Sequence, residues 1–249
     1  TTLVVREEHD GIRRYCHIGT GNYNPKTARF YDDLGILSSE PELGEDLSRL
    51  FNELSGHSAK HDYSRILVAP HSLRKGLLFR IKRETKNHLE GKTAWIRLKL
   101  NSLLDEEIIA ALYEAANAGV KIEIIVRGIC ALQFSTQAQR DNIKVRSILG
   151  RFLEHSRIYY FKNDGAEEYY IGSADVMHRN LDRRVEALVR IDAEKHKDRL
   201  RRILDDSVSE KYSTWSLLDD NHWERRTRDF EGNLLVNFQD HFIEKFNRA

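Results

Sequence analysis

The sequence predicts a mixed α/β fold in which a partly parallel sheet is flanked by helices. Three observations predict it. Short β-branched and aliphatic runs alternate with longer stretches of helical periodicity. The order strand, helix, strand over 94–100, 105–118 and 121–126 has compact connections, which indicates a βαβ crossover and parallel neighbours. Hydrophobic residues make up 40% of the 249 positions, ordinary for a chain that buries a real core.

In chain order, 2–6 and 13–19 read as a β-hairpin, because β-branched runs flank His9-Asp10-Gly11 and Asp-Gly favours a tight turn. Leu47, Leu50, Phe51 and Leu54 at helical spacing predict a helix over 45–55. The polar stretch 55–64 reads as a linker, dividing 1–55 from 56–249. Beyond it, Ile66-Leu67-Val68-Ala69 is a short strand stopped by Pro70, and 72–89 is an amphipathic helix ending near Gly91. The crossover follows, with Gly119 stopping its helix. Further strands are expected at 143–148, 157–161, 168–171 and 186–191. Residues 193–210 form a basic helix candidate and 233–247 a closing helix, with Trp215 and Trp223 read as packing.

Global charge does not mark a general polyanion binder, since 40 Lys and Arg against 39 Asp and Glu leave +1; anion chemistry must come from local clustering. Two cysteines, Cys16 and Cys130, form no disulfide framework and suit a reducing cytosol. No apolar run approaches the roughly 18–20 residues that span a bilayer. The opening Thr-Thr-Leu-Val-Val is not a signal peptide, lacks Met and starts in a β-type run, so a cut within a longer protein is expected. His57 and His61 are four apart but have no third plausible ligand, and read as structural or solvated.

One local device occurs twice. Ile18-Gly19-Thr20-Gly21-Asn22-Tyr23-Asn24 resembles Ile171-Gly172-Ser173-Ala174-Asp175-Val176-Met177, each a strand end followed by Gly, a hydroxyl residue, a small residue and Asn or Asp. This suggests a duplicated domain with two half-sites facing each other.

Four constellations could carry chemistry. His155 and Arg157 lie two apart beside a predicted strand, so both side chains share one face. Imidazole can act on a phosphoryl group as nucleophile, acid or base, and the guanidinium fork matches phosphate oxygens; the bland alternative is a surface histidine among solvated arginines. Gly172 and Ser173, with Arg179, Arg183 and Arg184, could let backbone N–H groups and positive charge gather on an anion. Alternatively they form an exposed loop in which Arg183 and Arg184 pair with Asp182 and Glu186. Arg127 ends the strand 121–126, and Lys99 and Asn101 end its neighbour; ligands gather beyond the carboxyl ends of strands in open α/β sheets, though a strand-end arginine is often merely solvated. The loop Gly19 to Asp33 offers glycines, amides, Lys26, Arg29 and Tyr31, the last able to stack on a base or bond a phosphate. It is equally a plain Asn/Gly/Pro turn, and no Walker-type Gly-Lys-Ser/Thr follows.

Taken together, Tyr15-Cys16-His17-Ile18-Gly19-Thr20-Gly21-Asn22-Tyr23-Asn24-Pro25-Lys26-Thr27-Ala28, Tyr31-Asp32-Asp33-Leu34, Ile125-Val126-Arg127-Gly128-Ile129-Cys130, Arg151-Phe152-Leu153-Glu154-His155-Ser156-Arg157 and Arg179-Asn180-Leu181-Asp182-Arg183-Arg184 resemble the polyphosphate kinase family, in its order, from the first residue to about 192. The resemblance implies reversible transfer of the terminal phosphoryl of ATP to inorganic polyphosphate through a phosphohistidine, with Mg²⁺. It also implies phospholipase D-like domains, here the tail of one and the whole of a second. By the family's pattern His155 is the second catalytic histidine, Arg127 a nucleotide-phosphate ligand and Tyr31 a nucleotide contact. The phosphorylated histidine and the Mg²⁺-linked arginines are expected upstream of Thr1, so the fragment alone is expected to be inactive and to hold no Mg²⁺ ligands. ATP or ADP and polyphosphate are the implied partners, not nucleic acid, for a cytoplasmic homo-oligomer with room for peripheral membrane contact. Rival readings are a phospholipase D-like phosphodiesterase and a non-catalytic nucleotide- or polyanion-binding module. Against the first, Arg157 stands where such hydrolases carry Lys, and Lys162 where they carry Asp.

Overall fold

The structure, a computed structural model, describes residues 1–57 and 62–247. His61 and the middle of the expected linker therefore lie outside the described residues; His57 is exposed.

The hairpin forms as β1 (Thr2–Glu8) and β2 (Gly11–Gly19), antiparallel, and Gly11 takes the positive φ of 119° that its turn requires. Two further short strands, β3 (Tyr31–Asp32) and β4 (Gly35–Ser38), follow without pairing to each other; β4 completes a three-stranded sheet in the order β1-β2-β4. Helix α1 (Pro41–Leu54) starts earlier than the spacing predicts, because Pro41 sits in its first turn where no N–H partner is needed. Its buried face is Leu43, Leu47 and Leu50, while Phe51 and Leu54 are exposed.

The larger sheet runs β14-β13-β8-β7-β6-β10-β11-β12-β5. The predicted crossover is present: β6 (Trp95–Leu100) and β7 (Lys121–Val126) are parallel, joined by α3 (Glu106–Asn117). Asp105 caps that helix, its carboxylate accepting from the Ile108 N–H at 3.1 Å. Parallel pairing continues to β8 (Ile143–Ser147), reached through α4 (Gln137–Asn142), a short helix begun by a Thr136–Gln139 capping box. On the other side β10 (Ile158–Phe161), β11 (Glu168–Gly172), β12 (Glu186–Ile191) and β5 (Ile66–Ala69) pair antiparallel, with α5 (His178–Asp182) between β11 and β12. After α6 (Glu194–Ser207), a hairpin of β13 (Tyr212–Leu217) and β14 (Trp223–Arg226) adds to the free edge of β8, so Trp215 and Trp223 sit on strands. The closing helix, α7 (Phe238–Asn247), is shorter than predicted because Val236–Asn237 is drawn out as β15 beside β13.

Two apolar clusters cover the two faces of this sheet. One joins α2 (Leu73–Leu89) and α3 to Ile96, Leu98, Leu100, Ile124 and Tyr159. The other joins Cys16 and Ile18 of β2 and Leu47 of α1 to Ile125, Ile158, Tyr160, Leu200, Leu204 and Phe238. The core therefore runs unbroken across the linker. Buried Asp46 fastens the same junction: its carboxylate accepts from the backbone N–H groups of Ser64, Arg65 and Ile66 at 2.6–3.2 Å.

Candidate functional site

The carboxyl ends of β2, β6, β7 and β11 converge on the segment that leads into β10. A two-residue parallel bridge pairs β3 with β9 (Leu153–Glu154), and the His155 N–H donates to the Asp32 carbonyl at 2.8 Å. That bridge stacks the Tyr31 ring on the His155 imidazole, centroids 4.4 Å apart.

Both copies of the repeated device meet at Arg157. Its guanidinium donates to the Thr20 carbonyl of the first copy at 2.7 Å and to the Asp175 carboxylate of the second at 2.8 Å. The other Asp175 oxygen accepts from the Asn101 and Ser102 N–H groups. The planar guanidinium fork holds these two acceptors in fixed directions, which a freely rotating ammonium would not.

His155 Nδ1 lies 2.9 Å from the same Thr20 carbonyl and 3.2 Å from Arg157 Nη1; the carbonyl is the nearer and can only accept, which assigns the proton to Nδ1 and the lone pair to Nε2. Nε2 has no partner among the described residues. Burial pushes the imidazole pKa down to about 4, with Arg157 adding to the effect, so the ring is neutral at physiological pH. Arg127 reaches the same place: its Nε donates to the Glu154 carbonyl at 2.7 Å and lies 3.3 Å from Asn101 Oδ1. Burial lowers its pKa against the pull of Asp175. Two donors in this cluster, Asn101 Nδ2 and Arg157 Nε, are buried without an acceptor among the described residues. Orphaned buried donors cost about 1–3 kcal/mol each, so a ligand rich in acceptor oxygens fits here.

His155, Arg157, Arg127, Asn101 and Tyr31 thus come together. Lys99 goes elsewhere. Strand alternation turns it with Glu154 and Ser156 to the opposite side, where Nζ bonds Glu154 at 2.5 Å and Ser156 at 2.7 Å. There it lines a cavity of about 1050 Å³ walled by Tyr31, Asp32, α6 and α7. Burial and the neighbouring Glu154 push the Asp32 pKa up to about 6 on this side.

Gly172 and Ser173 belong to the sheet rather than to an anion cradle. A Cβ at Gly172 would overlap the Ala187 carbonyl oxygen, and the Ser173 N–H donates to that same carbonyl at 3.1 Å. Gly21 of the first copy likewise makes room for the Asp33 carboxylate. Arg179, Arg183 and Arg184 are exposed on and after α5, and Arg184 lies 4.0 Å from Glu186, the loop pairing that the sequence allows. Sequence reasoning passed over Thr20, Glu154 and Asp175 as working residues, although the repeat had marked two of them by position.

These residues do not fit a magnesium site. No cluster of three metal-ligating side chains occurs among the described residues, and Asp175 and Glu154 are committed to Arg157, Lys99 and backbone N–H groups. No helix among the described residues is long and apolar enough to cross a membrane.

Residues 1–60 match the family model of polyphosphate kinase C-terminal domain 1, and 66–237 that of polyphosphate kinase C-terminal domain 2. The chain is 51% identical over 247 residues to a polyphosphate kinase of Streptomyces coelicolor, covering 99% of this chain and 33% of that protein. A Mycolicibacterium gilvum polyphosphate kinase is 53% identical over 223 residues, covering 90% and 30%. The crystal structure of polyphosphate kinase from Porphyromonas gingivalis superposes with a TM-score of 0.88 at 31% identity, covering 98% of this chain and 37% of that one. The chain spans about a third of the length of the relatives it matches. With two C-terminal family models in register, half of its residues shared with such relatives and their fold reproduced, the chain belongs to the polyphosphate kinase family, as a C-terminal portion.

Proposed function

We propose that this chain supplies one side of a phosphoryl-transfer site, which in the longer protein moves the terminal phosphoryl of ATP to inorganic polyphosphate, and back, through a phosphohistidine. One observation carries the proposal: a neutral His155 with a free Nε2 stands among Arg127, Arg157 and two buried donors that lack acceptors. A phosphate chain offers the oxygens those donors lack.

Arg127 and the Asn101 amide bind the phosphoryl oxygens, and Arg157 holds His155 and the two repeat copies in register. Tyr31 keeps the imidazole plane fixed by stacking and contacts the nucleotide. The low pKa of His155 belongs to a site without an anion; bringing phosphate charge beside the ring favours the imidazolium, so substrate arrival itself loads the proton. Protonated Nε2 then donates to the departing oxygen while a histidine outside this chain attacks from the opposite side. Catalysis of this kind rests on positioning and charge stabilisation. Mg²⁺, where used, is held by groups outside this chain.

On its own the chain binds ATP, ADP or polyphosphate in a salt-dependent way and does not turn over. In the same reading 1–55 and 56–249 belong to two related domains. The longer protein acts in the cytoplasm as a homo-oligomer, with peripheral membrane contact at most; the family resemblance and the two free cysteines support this placement.

The test uses the full-length protein that carries this segment. Incubation with γ-labelled ATP should give an acid-labile phosphoenzyme and polymer, and Arg127→Ala should cut synthesis on the order of 10³-fold. No labelled intermediate and no polymer, or near-normal turnover of Arg127→Ala, defeats the assignment. Nucleotide-independent cleavage of a phosphodiester would replace it with the hydrolase reading.

A further inference from the structure

We infer that Gln239, at the start of helix α7, is a positioning residue for His155 and Arg127. The inference rests on the phosphoryl-transfer reading above, but its geometry does not.

The Gln239 side chain is 1% exposed and reaches into the segment that carries His155. Its Oε1 accepts from the Phe152 N–H at 2.7 Å, and its Nε2 donates to the Phe152 carbonyl at 2.8 Å. One amide thus satisfies both backbone groups of one residue, as a neighbouring strand would. Strand β9 is therefore held on two sides, by β3 through backbone pairing and by α7 through this side chain. The amide orientation is fixed, because the Phe152 N–H demands the oxygen.

Nε2 also donates to Glu154 Oε1 at 2.7 Å. Glu154 joins both halves of the site: its carbonyl takes Arg127 Nε, its other carboxylate oxygen takes Lys99, and His155 is the next residue. From Gln239 to Arg127 the path is one residue long. Two further features make the contact specific. Gly150 admits the amide, since a Cβ there would overlap Gln239 Oε1. Asn237 caps the helix, its Oδ1 accepting from the Gln239 N–H at 2.9 Å, so the α7 terminus and the catalytic segment dock as one unit. Helix α7 thereby sets where Arg127 and His155 stand.

A displacement of about 1 Å in such groups is enough to cost roughly 10²-fold in rate. Gln239→Met keeps length and packing but removes both ends of the amide; Gly150→Ala keeps the amide group but pushes it from its place against Phe152. In the full-length enzyme each variant should lower kcat by about 10- to 10²-fold with KM for nucleotide little changed. The double variant should lose little more than the worse single, because both break one contact. In this chain, NMR titration of His155 should move upward from about 4 toward its ordinary range of about 6.5 in both variants. Cooperative thermal unfolding at the wild-type transition width checks that each variant is folded. An unmoved His155 titration with unchanged kcat in a folded variant overturns the inference. If the full-length wild-type enzyme shows no phosphoryl transfer, the function assignment fails while the titration still decides the positioning role.

Discussion

His155 and Asp32 sit one peptide contact apart, and burial acts on them in opposite senses, holding the imidazole neutral and favouring a protonated carboxyl. Asp32 gives a direct pH test. Its folded pKa of about 6 lies above the ordinary aspartate value of 3.8, so the folded state binds the extra proton and loses relative stability as pH rises from about 4 through 6. Burial and Glu154 outweigh the attraction of Lys99 in that balance. Asp32→Asn removes the charge but leaves the backbone carbonyl that receives the His155 N–H. The variant should therefore melt higher than wild type at pH 8, with the gap shrinking at pH 5. A gap independent of pH between 5 and 8 would show that the carboxyl is not raised. At this scale the sequence was informative about chemistry and silent about direction. Arg127 and Arg157 stand out as charged residues at strand ends, yet Lys99, equally placed in sequence, faces the other side of β9 and neutralises Glu154.

At the scale of the element, the repeated device has a structural use that its composition hides. Small residues after β2 and β11 allow close packing: Gly21 against Asp33, Gly172 against the backbone of β12. Gly172→Ala should push β11 from β12 and destabilise the fold by on the order of 3 kcal/mol, read as a lower denaturant midpoint. The same change at Gly165, whose Cβ position is open but whose φ is 93°, should act through backbone strain and cost only about 1 kcal/mol. Equal losses at the two sites would refute the packing argument. Strong periodicity made the elements around α2, α3, β6 and β7 legible, because each has a long one-sided apolar face. The strands β4, β13 and β14 escaped notice: Trp223, Glu224, Arg225 and Arg226 carry no alternation, and they become a strand by pairing with β13, which itself adds to the edge of β8.

Across the whole molecule, the second apolar cluster is built jointly by residues before and after the linker, and Asp46 ties α1 to the start of β5. Unfolding followed by near-UV and far-UV signals should give coincident transitions. Asp46→Ala, which strips several backbone N–H groups of their acceptor, should lower stability by about 1–3 kcal/mol. Non-coincident transitions would mean that the first sheet opens alone. By itself the sequence determined the α/β class and the crossover, which follow from local periodicity, while the family and the proposed roles of His155 and Arg127 came from motifs that resemble a known pattern. Only the tertiary structure decided that Thr20 and Asp175 converge on Arg157, that Lys99 turns away, and that a glutamine in the closing helix braces the catalytic segment. Those are contacts between residues 18 to 137 positions apart, or choices between two faces of one strand, and no local pattern encodes either.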